Sequence, residues 1–189
     1  MSELDDRSRR VHVKEALRAT LEATLDERVA RYFAVDHQNI IAGHHFAAAS
    51  AECLDLYRDG YFLSTVMVSQ TVAEGVFRFV VERNGFSGET GDRPAVAERL
   101  VERNIVSRAC ADAFVRIWRS FRNDVHHMHP KVATIPFAEL AKRNIDDLAT
   151  VEREIFAYHN NNGKLSPVQA RYWDVQPDGT VPVFLRLHP

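Results

Sequence analysis

The feature that most constrains the fold is a long stretch with almost no charge, "YFLSTVMVSQTVAEGVFRFVVERNG", which begins at Tyr61. Between Tyr61 and Val81 the only charged residues are Glu74 and Arg78. A helix that is apolar on nearly all sides is stable only when other elements surround it. A chain of 189 residues with 46% hydrophobic residues is long enough to build that surrounding core. The stretch therefore predicts the buried central helix of a helical domain.

The segments around this stretch also carry helical periodicity, with apolar residues recurring every three or four positions. Ser107 is predicted to cap the fifth helix, and Pro130 to end it at or just before His129. That helix is expected to bury its apolar residues from Cys110 to Val125, including Trp118 and Phe121. The predicted helices run from about Val13 to Phe33, from Ile40 (after Asp36 as a cap) to near Gly60, from Tyr61 to Asn84, over residues 93–104, from Ser107 to His129, and from Phe137 to His159.

The C-terminal segment changes to the alternating pattern of β-strands. "ARYWDV" and "VPVFLRL" flank the turn sequence "QPDGT", and this predicts a hairpin. A lone hairpin is marginally stable in water, so it is expected to pack on the helices or on a second subunit. The predicted fold is thus an all-α bundle of about six helices with a short C-terminal β-hairpin. The predicted domain ranges are 1–163 for the bundle and 164–189 for the hairpin.

The charge composition limits the partners that the chain can attract. The net charge is −2, and 20 of the 24 basic residues are arginine, so an anionic partner must be held by a local patch. The polar start and the lack of an apolar stretch of about 18 residues predict a cytoplasmic protein with no membrane contact. Cys53 and Cys110 show no metal-binding or redox spacing, which favours reduced core thiols.

The stretch "FRNDVHHMHP", residues 121–130, concentrates the residues that could carry chemistry. On an ideal helix Arg122 lies at the edge of the apolar stripe. His126 then lies about 40° from Arg122, His129 about 20° away but two turns on, and His127 about 140° away. His127 therefore reaches the surroundings of Arg122 only if the last turn unwinds before Pro130 or a second subunit contributes.

"RNDVHH" resembles the R-polar-x-x-x-H motif of the HEPN superfamily, whose members are all-helical bundles. Arg122, Asn123 and His127 match the motif with a four-residue gap, and His129 matches its six-residue form. The near-uncharged central helix with one internal acid is also similar, and the resemblance covers about residues 37–160. It implies RNA cleavage without a metal or other cofactor, in a homodimer, with an antitoxin or regulatory protein as a further partner.

The chemistry that the resemblance implies suits these residue types. A histidine can take the proton of a ribose 2′-hydroxyl while an arginine neutralises the charge that grows on the phosphate. Two subunits would place Arg122 and His127 of both copies in one shared cleft. The sequence shows no feature specific for DNA. The candidate catalytic residues are Arg122, His127 and Asn123, and the candidate substrate-binding residues are Arg119, His126, His129 and Glu74.

Other interpretations of the same residues stay open on the sequence. Cationic side chains favour the C-terminal end of any helix, so a solvated helix end or a non-catalytic HEPN-like binding module also explains the histidines. Glu74 could accept hydrogen bonds from Arg122 or pair with Arg78 one turn away. His44, on an apolar stripe, is interpreted as a core histidine with a satisfied ring. A metal site would use Asp124, His126, His127 and His129, with His44 or His45.

Overall fold

The computed structural model describes residues 3–86 and 92–186, and part of the predicted loop "FSGETGD" lies outside the described residues. Contacts divide the chain into one unit that ends at Ala34 and a second that begins at Val35. The first unit is the single helix α1 (Glu3–Phe33). It contains the predicted apolar stripe and starts well before Val13.

The second unit is a helical bundle. Its helices are α2 (Ala47–Asp59), α3 (Phe62–Arg83), α4 (Arg93–Glu102), α5 (Arg108–Trp118), α6 (Arg122–His126) and α7 (Phe137–Ile155). Within the described residues, six α-helices including α1 have ten or more residues, and α6 has five. The prediction of an all-α bundle of about six helices is confirmed.

Helix α3 lies at the centre of this bundle, as its composition predicts. It contacts α2, α5 and α7, and its apolar residues Val66, Val72, Val76 and Val80 are buried. The helices around it also follow local signals. Gly60 ends α2 with a left-handed backbone, φ 86°, that glycine adopts without strain.

Helix α2 begins later than the apolar stripe predicts. Ile40–Ala42 forms strand β1, which pairs antiparallel with β4 (Val183–Leu185). Two consecutive isoleucines fit a half-buried strand better than a helix start. His44 follows the strand in a loop, where its Nε2 lies 2.9 Å from the Tyr172 carbonyl oxygen. The interpretation of His44 as a satisfied core histidine is confirmed.

A C-terminal hairpin exists, but residues other than the predicted ones form it, and of the two predicted strands only "VPVFLRL" contains one, β4. Strands β2 (Tyr158–Asn161) and β3 (Lys164–Pro167) pair around Asn162 and Gly163, both with positive φ. Asn-Gly is the strongest signal for a two-residue hairpin turn. Helix α7 ends at Ile155 rather than at the predicted His159, and β2 begins at Tyr158. The segment "ARY" forms a 3₁₀ helix instead of a strand. Tyr172 and Trp173 are fully buried there, so core packing overrides the alternating pattern.

The predicted long fifth helix is interrupted. Ser107 caps α5 by accepting a hydrogen bond from the Cys110 backbone N–H at 3.1 Å, as expected. The helix nevertheless stops at Trp118, and Phe121 adopts a left-handed backbone with φ 56° and ψ 32°. Phe121 is 46% exposed, so its assignment to the core is wrong. Val125, after the interruption, is fully buried as predicted.

The two cysteines are free thiols inside the bundle. Burial raises the pKa of both the Cys53 and the Cys110 thiol far above the ordinary value, so neither ionises near neutral pH. The thiolate is the form that reacts and binds metals. Both side chains therefore act as small apolar core groups, in line with the sequence. Among the described residues, no helix combines the length and apolar content needed to cross a bilayer.

Candidate active site

A buried hydrogen-bond network fixes the interruption between α5 and α6. The side-chain amide of Gln70 on α3 donates to the Ser120 carbonyl oxygen at 2.9 Å and lies 2.8 Å from the Ser120 hydroxyl. The amide of Asn144 on α7 lies 3.1 Å from the same hydroxyl. All three residues are at most 1% exposed. The network satisfies a carbonyl that the broken helix leaves without a helical partner.

The network also orients His126. Because the Gln70 amide nitrogen donates to Ser120, its oxygen is the group that faces His126, at 3.2 Å from Nε2. A carbonyl oxygen only accepts hydrogen bonds, so His126 Nε2 carries the hydrogen. His126 is exposed, and through this contact it ties α6 to α3.

Arg122 lies near a carboxylate that several arginines share. Its Nη1 is 3.7 Å from Glu74 Oε2, which confirms that α3 and the motif are neighbours. Glu74 Oε1 accepts from Arg78 Nε at 2.7 Å and from Arg93 Nη2 at 2.5 Å. Of the two sequence-based alternatives for Glu74, the pair with Arg78 forms, whereas the distance from Arg122 is too long for a hydrogen bond and leaves only an ionic contact. A carboxylate repels a phosphate, so the arrangement fits an orienting role for Glu74 better than direct contact with RNA.

An open cleft of about 680 Å³ lies beside Arg122. Helix α4, the end of α5 and the start of α6 form its walls. Its lining consists of three arginines, two aspartates and four other residues: Arg93, Arg119, Arg122, Asp92, Asp124, Pro94, Trp118, Phe121 and Asn123. Three of the candidate site residues, Arg119, Arg122 and Asn123, thus meet at one concave surface, which a binding site for a chain-like anion requires.

His127 lies at the end of α6, on its solvent side. Its backbone N–H donates to the Asn123 carbonyl oxygen at 3.1 Å, so the two residues are one helical turn apart. Since the same helix buries Val125, and both Asn123 and His127 are exposed, their side chains share the outer face. His127 is therefore next to a residue that lines the cleft, while His126, also exposed, is engaged with Gln70.

His129 lies beyond the helix, in the extended conformation expected before Pro130. Its Nδ1 accepts a hydrogen bond from the Lys131 backbone N–H at 3.3 Å and is 3.8 Å from Asp124 Oδ1. The accepting nitrogen carries no hydrogen, so the contact with Asp124 is electrostatic at most. His129 serves the local turn rather than the cleft.

The metal hypothesis has no support in the described part of the chain. No group of three or more histidine, cysteine, aspartate or glutamate side chains there comes together to hold an ion. His44, one of its proposed ligands, is instead engaged with Tyr172 and lies 3.4 Å from Asp174. His126 is engaged with Gln70.

Three residues of the site are absent from the sequence-based set. Gln70 and Arg93 come from α3 and α4, and no local pattern links them to Arg122. Phe121 was assigned to the core because helical periodicity placed it there. The polar pair Ser69-Gln70 inside an otherwise apolar helix was the one available signal, since buried polar groups need partners.

The chain matches no protein-family model, no curated protein and no solved structure. The functional proposal therefore rests on the residues of the cleft, on their chemistry and on the motif resemblance. Fold alone would not decide it, since helical bundles carry many unrelated functions.

Replacing Gln70 with methionine is expected to lower the free energy of unfolding by about 1–3 kcal/mol, because the Ser120 carbonyl loses its donor in a buried place. Denaturant unfolding followed by circular dichroism measures the change. Thr71→Met, at the exposed next position of α3, is the matched control and should change stability by under about 0.5 kcal/mol. Equal effects of the two variants would contradict the role given to Gln70.

Proposed function

We propose that the cleft beside Arg122 cleaves RNA without a metal ion, as the resemblance to HEPN domains implies. The observation that carries the proposal is the arrangement on α6. Arg122 and Asn123 line the cleft, and His127 lies one turn from Asn123 on the exposed face. A cation and an amide therefore line one concave surface, and an imidazole lies one helical turn from the amide, outside the lining of the cleft.

The proposed reaction needs only a general base, a cation that stabilises the transition state and a proton donor for the leaving oxygen. His127 takes the proton of the ribose 2′-hydroxyl, and the 2′-oxygen attacks the adjacent phosphorus. The bond from phosphorus to the 5′-oxygen breaks, and that oxygen takes a proton from water to become a 5′-hydroxyl. The other product ends in a 2′,3′-cyclic phosphate. Arg122 neutralises the charge on the phosphate oxygens as the transition state forms.

The remaining candidate residues support these steps. Asn123 donates a hydrogen bond to the phosphate, and Arg119 attracts the RNA backbone without reading its sequence. Glu74 holds Arg122 in the cleft. His126 anchors α6 through Gln70.

Phe121 is proposed to stack on an RNA base. A large residue in the left-handed region costs about 1–3 kcal/mol, and here the cost is not offset by burial because the ring is 46% exposed. Exposed aromatic rings beside arginines are the usual platform for unpaired bases.

Phe121→Asn is expected to raise the melting temperature while weakening the binding of single-stranded RNA by about tenfold. Asparagine tolerates the left-handed backbone, and the loss of one stacked base costs about 1–3 kcal/mol. Thermal unfolding and fluorescence anisotropy with a fully 2′-O-methylated oligonucleotide, which cannot be cleaved, measure the two effects. A variant that binds as well as the parent would refute stacking.

The functional unit is proposed to be a homodimer with both Arg122–His127 pairs facing one cleft. Phosphoryl transfer needs groups on both sides of the phosphorus, and a two-fold pair supplies them. Mixing inactive Arg122→Ala and inactive His127→Ala subunits is then expected to restore up to about half of the activity per mixed dimer, or about a quarter in a 1:1 mixture, because one intact site forms across the interface. Two inactive preparations that stay inactive when mixed would exclude shared sites.

The direct test is incubation of the purified protein with unstructured and structured RNA in excess EDTA. Fragments that end in a 2′,3′-cyclic phosphate and a 5′-hydroxyl are expected. Binding without cleavage would instead support the second candidate, a non-catalytic RNA-binding module. The exposed Phe121 and the arginine-lined cleft favour that candidate, because neither needs the histidines.

A further inference from the structure

Arg93 lines the cleft, and the proposed reaction gives it no role. It is the first residue of α4, whereas Arg122 and Asn123 are the first two residues of α6. Within the described residues, its hydrogen-bond acceptor is Glu74 Oε1, at 2.5 Å from Arg93 Nη2. A guanidinium group carries five N–H donors. Most donors of Arg93 therefore have no acceptor in the part of the chain that the structure describes.

Two contacts hold the guanidinium group of Arg93 in place. Besides the ion pair with Glu74, its Cζ lies 5.8 Å from the centre of the Trp118 ring, within the range of a cation–π contact. The side chain is 35% exposed, so it still reaches the solvent in the cleft. A side chain that is already held loses little conformational freedom when it binds a ligand. Arg93 is thus preorganised to bind an anion.

The charges around the cleft favour direct contacts over long-range attraction. Three arginines share the single charge of Glu74: Arg78, Arg93 and Arg122. Two further carboxylates, Asp92 and Asp124, lie in the lining, so the excess of positive charge is small. A strong local field would attract any anion. A small excess instead makes binding depend on hydrogen bonds between single arginines and single phosphates.

The position of His127 indicates which phosphate Arg93 meets. His127, the proposed base, lies one turn beyond Asn123 on α6, so the reacting phosphate lies at the α6 side of the cleft. Arg93 lies on the wall that α4 forms. An RNA strand that lies in the cleft with its reacting phosphate at α6 brings a neighbouring phosphate to α4.

We propose that Arg93 binds the phosphate next to the one that reacts, so that the site takes RNA with two successive phosphates rather than an isolated phosphodiester. The inference rests on the proposed function, because it takes RNA as the ligand of the cleft. The planar guanidinium group matches two phosphate oxygens at once. Arg93 thus contributes to binding, whereas Arg122 acts in the chemical step.

Competition binding with short RNA tests the neighbouring phosphate. The probes are three 2′-O-methylated dinucleotides, which cannot be cleaved: one without a terminal phosphate, one with a 5′-phosphate and one with a 3′-phosphate. Each displaces a labelled 2′-O-methylated oligonucleotide from the full chain, and fluorescence anisotropy gives its dissociation constant. One of the two terminal phosphates is expected to tighten binding to the parent by about tenfold, the effect of one hydrogen bond to a charged group. Arg93→Ala is expected to reduce this gain to less than about twofold.

Arg78→Ala is the matched control. Arg78 Nε donates to the same oxygen of Glu74 at 2.7 Å, but its side chain is 68% exposed and is not among the described residues that line the cleft. The variant removes the same charge from the same carboxylate and should keep the full gain. An Arg93→Ala variant that keeps the gain would overturn the proposal. So would one that weakens all three dinucleotides equally, since a merely structural role predicts that result.

The salt dependence of oligonucleotide binding gives a second measure. Loss of one phosphate contact is expected to reduce the slope of log affinity against log salt by about 0.7 in Arg93→Ala and to leave it unchanged in Arg78→Ala. Because the ligands cannot be cleaved, neither measurement depends on the reaction. A protein that binds them through Arg93 but cleaves no RNA would refute the proposed function and support this inference. A protein that cleaves RNA, with equal affinities in the parent and Arg93→Ala, would overturn this inference alone.

Discussion

Arg122→Ala is expected to lower the rate of RNA cleavage in excess EDTA by about 10²–10³-fold, the loss typical when a group that stabilises transition-state charge is removed. The side chain is 39% exposed, lines the cleft and lies 3.7 Å from Glu74, so its loss removes a cation without opening the core. Single-turnover cleavage of a labelled oligonucleotide measures the rate of the chemical step. The melting temperature should stay close to that of the parent.

Arg119→Ala provides the matched control, because it removes a second arginine from the same cleft. It is expected to weaken RNA binding and reduce its salt dependence, while the rate at saturating RNA falls only slightly. His127→Ala should abolish cleavage as Arg122→Ala does, whereas His126→Ala and His129→Ala should act more mildly. Activity that disappears in EDTA and returns with zinc would contradict the mechanism.

The helices are predictable from the sequence where their signals are local. The low charge of the stretch after Tyr61 is enough to identify α3 as the central helix, because such a helix has no stable place at a surface. Ser107 and Gly60 mark helix ends through hydrogen bonding and backbone freedom within a few residues. These effects depend on neighbouring residues along the chain, so a single sequence reveals them.

The interruption at Phe121 depends on contacts that a helical wheel does not contain. Gln70 is 50 positions from Ser120, and Asn144 is 24 positions from it. Both side-chain amide nitrogens donate to Ser120 at this turn, and a buried donor left without an acceptor costs about 1–3 kcal/mol. The apolar periodicity of the sequence continues through this point, so it predicted one long helix with Phe121 in the core.

The candidate site was predictable in part. The motif residues are close together in the sequence, and Glu74 was a candidate because a carboxylate on the central helix could reach Arg122 if the two helices are neighbours. Arg122 reaches Glu74 because α6 packs against α3, and the sequence alone did not determine whether these helices are neighbours. Arg93 binds the same carboxylate, but no pattern in the sequence around it indicates this contact.

A buried ion pair that the sequence does not suggest joins the C-terminal segment to the bundle. The side chain of Arg186, just after β4, is fully buried. Its Nη2 donates to both carboxylate oxygens of Glu152 on α7 at 2.7 Å and to the Ser50 hydroxyl at 2.7 Å. Its Nη1 donates to the Gln38 carbonyl oxygen at 3.2 Å. The arginine thus connects α2, α7 and the segment before β1.

Arg186→Met is expected to lower the free energy of unfolding by about 3–5 kcal/mol, because it leaves the Glu152 carboxylate charged, buried and without its cation. That loss is a large fraction of the about 5–15 kcal/mol that stabilises a typical domain. Urea unfolding followed by circular dichroism measures the change. Arg153→Met is the matched control, since Arg153 pairs with Asp36 at an exposed site and should contribute less than about 1 kcal/mol.

Removing both charges separates the attraction between the ions from the need to neutralise a buried charge. Arg186→Met combined with Glu152→Leu is expected to be more stable than Arg186→Met alone, because no charge stays buried without a partner. Ser50 then loses its acceptor, so the recovery should be incomplete. If Arg186→Met unfolds within about 1 kcal/mol of the parent, the C-terminal segment is not held by this pair. If the double variant is less stable than Arg186→Met, the carboxylate has another partner in the folded protein, and the destabilisation arises from lost packing of the long arginine side chain.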